Sequence, residues 1–461
     1  MINFDNRLVD ENSIKKMMLK IKHRGPDDEG LFLDQNIGLG FVRLSILDLS
    51  PLGHQPMLDD SGRYVIVHNG EVYNYIEIRD ELLSKGYLFR SNTDTEVILK
   101  AYLEWGEDCL HRFNGMWAFC IYDTFTKELF CARDRYGVKP FYYYKDDGKF
   151  VFASEIPAIL SVLNRKPEPN FQAIFDYLVF NRTDQNQNTF FSEIGKLPHG
   201  HYIKTDQKSF KLIKWYDLRK SVSGTEGFKD EEEYKNLFSS AVALRLRSDV
   251  PVGVCLSGGL DSSSIVSILL KEFQKPDINT FSAIYNKDEK GDESDFINLF
   301  KGEVENMYFT TPDLSSLLEN LTHFVSAHAE PIPSTSPFAQ FNVMKLAKQH
   351  VVVTLDGQGA DECLAGYHYF YGLYFKDLLL SFKIIKLSKE IFKYLSLHKS
   401  AYGLTTFLFF LLPSFLRIKL RTAKNPYVMS GFVSKYSKNS QISEDLYGAN
   451  SLRDSLINHF E

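Results

Sequence analysis

The chain has 461 residues, 53 Lys plus Arg against 59 Asp plus Glu, a formal net charge of −6 and 44% hydrophobic residues. That length predicts two or three domains, each able to bury its own core, and the mildly acidic balance without a basic block excludes nucleic acid as partner. Five cysteines, Cys109, Cys120, Cys131, Cys255 and Cys363, lie scattered without CxxC spacing; this argues against a zinc site or a disulfide framework and fits a reducing cytoplasm.

The opening Met1-Ile2-Asn3-Phe4-Asp5 has neither a basic start nor an apolar stretch, so no signal peptide is expected. Short β-like runs then alternate with Gly, Asn and Asp turns: Tyr64 to His68, Trp117 to Tyr122, Leu129 to Cys131, Pro140 to Tyr144 and Phe150 to Phe152. Helical patterns at Ile76–Lys85 and Thr95–Trp105 interrupt them, which predicts a layered α+β domain over residues 1–220. Small polar residues from Ser221 to Gly227 read as a linker. The acids Glu231, Glu232 and Glu233 suit the first turn of a helix, where they complement its dipole.

Beyond the linker the pattern changes. Strand Val250–Leu256, helix Ser264–Phe273, strand Thr280–Tyr285, helix Leu346–His350 and strand Val351–Leu355 predict an α/β domain with a mainly parallel sheet, spanning 228–461. From Tyr371 onward the chain reads as helical, rich in Lys and aromatics. Leu404–Leu416 is too short to cross a membrane and is broken by Pro413, so a buried or interfacial helix is expected. His323 and His328, five apart, fall on different helix faces, which speaks against a metal pair. His368 reads as aromatic packing.

The densest chemistry lies in Ser257-Gly258-Gly259-Leu260-Asp261-Ser262-Ser263, between a strand and a helix. Glycines let the backbone approach an oxyanion, and free N–H groups at the helix start point at it. Asp261 adds a carboxylate where a phosphate-bridging metal could sit. No Lys follows the glycines, which excludes the Walker loop, and the plain alternative is a strand-to-helix turn with a capping Ser. A second such turn, Asp356-Gly357-Gln358-Gly359-Ala360-Asp361-Glu362, follows strand Val351–Leu355. Ligands of open parallel sheets bind beyond the strands' carboxyl ends, so both turns could face one crevice, with Asp261 and Asp361 on one Mg²⁺. The first half has its own cluster. Arg43 could take a ligand α-carboxylate, Glu71 or Asp94 an α-ammonium, and Asn69 with the Gly70 N–H could form an oxyanion hole. A hairpin turn with surface charges would look similar.

At these residues the chain resembles a family. His23 to Asp28, Arg43 to Leu47, Gly53 to Met57, Asn69 to Asn74 and Ala132 to Pro140 are similar to the amidotransferase half of glutamine-dependent asparagine synthetases. Ser257 to Ser263, Glu330-Pro331 and Asp356 to Tyr367 resemble the synthetase half, in the family's order. The resemblance implies an Ntn-hydrolase-like four-layer sandwich followed by an ATP-pyrophosphatase-like domain. It implies hydrolysis of glutamine, an ammonia tunnel, activation of aspartate by Mg-ATP as β-aspartyl-AMP with release of pyrophosphate, and displacement of AMP by ammonia, with a homodimer as the assembly. By matched position Arg43, Leu44, Ser45, Ile46, Leu47, Asn69, Gly70, Glu71 and Asp94 would bind glutamine. Leu256, Ser257, Gly258, Gly259, Asp261 and Ser262 would hold ATP and pyrophosphate, Ala283 would line the adenine, Asp356 and Gly357 would add nucleotide contacts, and Asp361 would contact Mg²⁺.

Four departures from the family pattern shape the expectations. The family's nucleophile is an amino-terminal Cys whose own amine is the base, whereas here the first strand is entered about six residues late by comparison with the motif. Glutamine hydrolysis by that route is therefore not expected of the chain as written. No Val-Pro-Phe-Leu-Asp stretch or similar aspartate-seating segment precedes Glu461, so the chain reads as truncated at both ends. Gln358 stands where some members carry a Glu and is the one candidate catalytic residue, and Asp356 replaces a Ser. The competing readings are an inactive nucleotide-binding fragment, a relative amidating another carboxylate, and a β-lactam-forming relative, the last disfavoured by the retained Arg43, Asn69, Glu71 and Asp94.

Overall fold

Strand residues in the first half are apolar on both sides, and the structure explains why. Along Tyr64–Val72, Val65 and Val67 turn to one face and Ile66 to the other, and all three are buried. Along Gly115–Asp123, Ala118, Cys120 and Tyr122 join Val65 and Val67, while Trp117, Phe119 and Ile121 join Ile66. A sheet covered on both faces has this pattern. A one-residue slip would exchange two different cores, so the register is pinned by packing. The structure, a computed structural model, describes residues 1–206, 208–285, 292–423, 427–440, 449 and 451–458.

Among the described residues, twelve strands form two antiparallel sheets. They are β1 (Ile2–Asn3), β2 (Asp28–Asp34), β3 (Ile37–Arg43), β4 (Met57–Leu58), β5 (Tyr64–Val72), β6 (Gly115–Asp123), β7 (Glu128–Arg133), β8 (Tyr142–Lys145), β9 (Lys149–Ala153), β10 (Ile194–Lys196), β11 (His201–Thr205) and β12 (Phe210–Lys214). One sheet runs β10-β8-β9-β1-β3-β2 and the other β12-β11-β7-β6-β5-β4. Helices Glu11–Lys20 and Ile156–Leu160 cover the first sheet, and Tyr75–Ser84 and Asp94–Trp105 the second. The result is a four-layer α+β sandwich. Gly38 and Gly40 of β3 let helix Glu11–Lys20 come close: a Cβ on Gly40 would stand 2.6 Å from Ile14.

The third sheet is parallel, in the order β15-β14-β13-β16, built from β13 (Val252–Cys255), β14 (Asn279–Ala283), β15 (Asn306–Thr310) and β16 (Val353–Leu355). Its core gathers Val254, Leu256, Ile265, Val266, Ile268, Leu269 and Leu355. Helix Glu231–Arg245 opens with the expected acids, its Asp230 side chain capping the Glu233 N–H.

By contacts the chain divides into two units. One comprises residues 1–168, 193–217 and 223–357 and holds every described strand of the three sheets; the other comprises 169–192, 218–222 and 358–461. The described elements of the second unit are helices. Phe175, Val179 and Phe180 pack with Val428, Phe432 and Tyr436, and the Ser440 hydroxyl donates to Asp176. A second cluster joins Phe375, Leu378, Leu387 and Tyr394. The expected break at Pro413 separates helix Tyr402–Leu411 from Ser414–Ala423. His368 packs among Tyr371, Tyr394 and His398, as an aromatic reading expects. Among the described residues no helix is long and apolar enough to cross a membrane.

Candidate active sites

The first site is a cavity of about 280 Å³ in the sandwich. Strand β5 delivers its polar wall by alternation. The Asn69 amide turns to the first sheet, donating to the Ser154 hydroxyl at 3.5 Å, and Glu71, two residues on, shares that face. Gly70 between them has φ +143, and a Cβ there would stand 2.1 Å from the Met116 carbonyl, so only glycine fits. Asp94 enters from the start of helix Asp94–Trp105. Its carboxylate accepts the Val72 N–H at 2.8 Å and lies 3.9 Å from His68 Nδ1.

Arg43, Leu44, Ile46, Leu47, Asn69, Gly70, Glu71 and Asp94 all line this cavity. The Ser45 side chain does not line it; the Ser45 N–H donates to Asp27 at 2.7 Å. Arg43 braces its own loop, donating to the carbonyls of Leu47 and Ser50 at 3.3 and 3.0 Å. Gly53 makes room for it: a Cβ there would meet the Arg43 guanidinium.

The electrostatics favour a cationic guest. Burial, then repulsion from Asp94, pushes Glu71 up to about 8, and its Oε1 is buried without a hydrogen-bond partner. Burial also raises Asp94 and lowers His68. Lys139 lines the same cavity; burial and Arg24 lower its pKa while Glu71 and Asp134 oppose this. An ammonium group beside Glu71 and Asp94 would relieve both the orphaned oxygen and the repulsion.

Sequence reasoning left His68 and Lys139 out of the site. His68 precedes Asn69, and only the fold shows that its ring meets Thr95 Oγ1 at 3.2 Å beside Asp94. Lys139 is delivered by a turn built on the buried Asp134 carboxylate, which accepts from the N–H groups of Trp117, Tyr136, Val138 and Lys139 at 3.0–3.1 Å. The run Ala132–Pro140 signalled that turn, without disclosing which side chain reaches the cavity.

The second site lies at the carboxyl ends of β13 and β16. These strands are neighbours, with Val254 opposite Leu355, so the loops that follow start side by side. Gly258 has φ +88, and the Ser257 and Ser262 hydroxyls meet at 3.0 Å, with Ser262 Oγ also donating to the Gly259 carbonyl at 3.2 Å. Helix Leu260–Lys271 starts immediately after, with Asp261 in its first turn. A Cβ placed on Gly357 would lie 2.9 Å from the Asp261 Cβ and 3.0 Å from the Ser262 nitrogen. The two glycine turns thus touch. Leu256 is buried beneath, its carbonyl accepting from Ser282 Oγ at 2.6 Å, and Ala283 ends the adjacent β14. Asp356 accepts from Thr354 Oγ1 at 3.3 Å. Gln358 and Asp361 belong to the second unit, Asp361 in helix Ala360–Leu364. His323 and His328 pack edge-on against Phe341 and Phe324.

Two antiparallel sheets between helix layers, joined to a parallel sheet with adjoining glycine turns, define the architecture of an amidotransferase coupled to a nucleotide-using ligase. Comparison with known proteins agrees. A glutamine amidotransferase domain profile matches residues 2–216 and an asparagine synthase profile residues 233–408. A provisionally named asparagine synthetase (glutamine-hydrolyzing) 2 of Methanocaldococcus jannaschii is 38% identical over 403 residues, covering 79% of this chain and 74% of that protein. Asparagine synthetase (glutamine-hydrolyzing) 1 of Bacillus subtilis is 35% identical over 362 residues, 78% of this chain and 56% of its own. Asparagine synthetase (glutamine-hydrolyzing) 3 of the same organism is 30% identical over 416 residues, 86% and 66%. The chain belongs to the glutamine-dependent asparagine synthetase family of ATP-using carbon–nitrogen ligases, and spans between about half and three quarters of these relatives' lengths.

Proposed function

We propose that the chain makes asparagine from aspartate and ATP, with glutamine or ammonia as nitrogen source and AMP and pyrophosphate as products. The observation that carries this reading is the contact of Gly357 with Asp261 and Ser262, which puts two oxyanion-binding turns at one place. Ser257, Gly258, Gly259 and Ser262 would hold the phosphate chain through backbone N–H and hydroxyl groups, and Ala283 would border the base. Carboxylate oxygens suit a hard divalent cation, so Asp261, with Asp361 as second candidate, would hold Mg²⁺, whose chemistry is to neutralise the phosphate charge. In the sandwich, Glu71 and Asp94 would take the α-ammonium of glutamine, Arg43 its carboxylate, and Asn69 with the Gly70 N–H its amide oxygen. Gln358 is the candidate polar group near the reacting nitrogen. Five unpaired thiols support a reducing, cytoplasmic setting.

The test is pyrophosphate release from ATP, Mg²⁺, aspartate and ammonium. Release well above that of Asp261→Ala supports the reading. Release no greater than that variant's overturns it.

A further inference from the structure

We infer that Asp249, with Arg247 beside it, is a positioning residue through which the synthetase half completes the glutamine pocket of the sandwich. This rests on the functional reading above, and goes beyond it by assigning part of the pocket's construction to the other half of the chain.

The segment Arg247-Ser248-Asp249 lies within the matched asparagine synthase region and is joined to β13 through Val250 and Pro251. Ser248 turns it tightly, its hydroxyl donating to the Val250 carbonyl at 2.9 Å. Asp249 then meets the pocket loop on two sides. Its N–H donates to the Ile46 carbonyl at 3.0 Å, and its carboxylate accepts the Asp48 N–H at 2.8 Å. Asp48 sits at φ +52, a conformation that a residue with a side chain rarely adopts, so the loop needs outside bonds to hold it. Those bonds are present. The Asp48 carboxylate accepts from the N–H groups of Ser50 and Asn92, and Arg43 grips the Leu47 carbonyl from the cavity side. Arg247 reaches the chain just past the lining residues Asn69–Glu71, where its guanidinium donates to the Tyr73 carbonyl and the Glu77 carboxylate, both at 2.6 Å.

The lining stretch Leu44–Leu47 is therefore held through the Asp249 N–H at Ile46 and, one residue beyond it, through the Asp249 carboxylate at Asp48, while Arg247 holds the chain two residues past the lining residue Glu71. The same segment leads into the strand that ends at the phosphate turn. Two residues on, the Pro251 carbonyl accepts from the Val352 and Val353 N–H groups, which ties the approach to β13 to the start of β16. The role of Asp249 is placement. It acts by fixing where Ile46 and Leu47 stand. Truncating it removes the acceptor for Asp48 and frees a strained loop, whereas Asn keeps a carbonyl oxygen in that place.

The experiment is calorimetric titration of glutamine into the full chain, into Asp249→Ala and into Asp249→Asn, with ammonium-driven pyrophosphate release followed in parallel. The expected result is tenfold or more weaker glutamine binding in Asp249→Ala, restored to within about threefold by Asp249→Asn, with the loss confined to glutamine. Equal glutamine affinity in Asp249→Ala and the unaltered chain overturns the inference, as does a parallel collapse of ammonium-driven release, which marks a merely structural role. Failure of the unaltered chain to bind glutamine overturns the functional reading of the cavity and the inference with it.

Discussion

Gly357 abuts Asp261: there is no space for even a methyl group between the turn after β16 and the first helical turn after β13. The relationship follows from the parallel pairing of those strands, whose register sets Leu355 beside Val254. One glycine therefore decides whether two anion-binding turns can share a ligand.

Gly357→Ala is expected to push the turns apart, because the atoms it would meet are backbone and Cβ atoms that cannot swing aside. Pyrophosphate release should fall at least tenfold and the melting temperature should drop by several degrees. Gly259→Ala is the contrast. Its φ is −65 and the nearest atom to a new Cβ is the Ser257 hydroxyl at 3.3 Å, so its melting temperature should change little. Thermal melting of both variants checks the pair.

Burial, then repulsion from Asp94, pushes the Glu71 carboxyl up to about 8 from its ordinary 4.5. A raised folded-state pKa means that the folded chain holds the proton more tightly. The stability contributed by protonated Glu71 is thus complete below the unfolded value and is lost as pH rises through about 8. Glu71→Gln should match the parent at about pH 4 and be more stable at about pH 8.5, on the order of 2 kcal/mol, by denaturant titration. The groups that set this include Asp94 and Asp249, which raise the value, and Lys139, which lowers it. Glutamine binding by the parent should strengthen across the same window, since the ligand's ammonium needs the ionised carboxylate.

Asp134→Ala strips the acceptor from four backbone N–H groups around a carboxylate that is 1% exposed. Partial relief by water leaves an expected cost on the order of 3–5 kcal/mol, read by urea unfolding. Asp134→Asn, which keeps one acceptor oxygen, should cost less. A cost below about 1 kcal/mol for Asp134→Ala would show that the turn carrying Lys139 is held by something else.

Thiol reactivity should follow burial. Cys363 is exposed, while Cys109, Cys120 and Cys131 are buried. Cys255 is intermediate, and burial with the neighbouring Asp356 raises its pKa. Alkylation at pH 8 in the native state should label Cys363 first, and peptide mapping should find the three buried thiols unmodified until denaturant is added.

The local patterns that survived folding are those with one dominant cause. Tyr64–His68, Trp117–Tyr122 and Leu129–Cys131 read as strands and are the cores of β5, β6 and β7, because both their faces are apolar. Strand β3 was not legible. Gly38 and Gly40 weaken its alternation, and they are there for the close approach of Ile14 and Met18 on a helix that is separate in sequence and adjacent only in space. Strand Asn306–Thr310 and the short β10 were hidden in the same way, their residues answering to neighbours rather than to a period.

From order and spacing alone came two anion-binding turns, an amide–glycine–carboxylate triplet at Asn69–Glu71 and a family resemblance, since these depend on backbone freedom and residue chemistry that any reader of the chain can see. Contact between the turns, the turning of Lys139 into the cavity and the bracing of Ile46 and Asp48 by Asp249 were decided by the tertiary structure. Strand register and loop packing join residues some hundred to two hundred positions apart, and no local periodicity records which distant partner satisfies a given hydrogen bond.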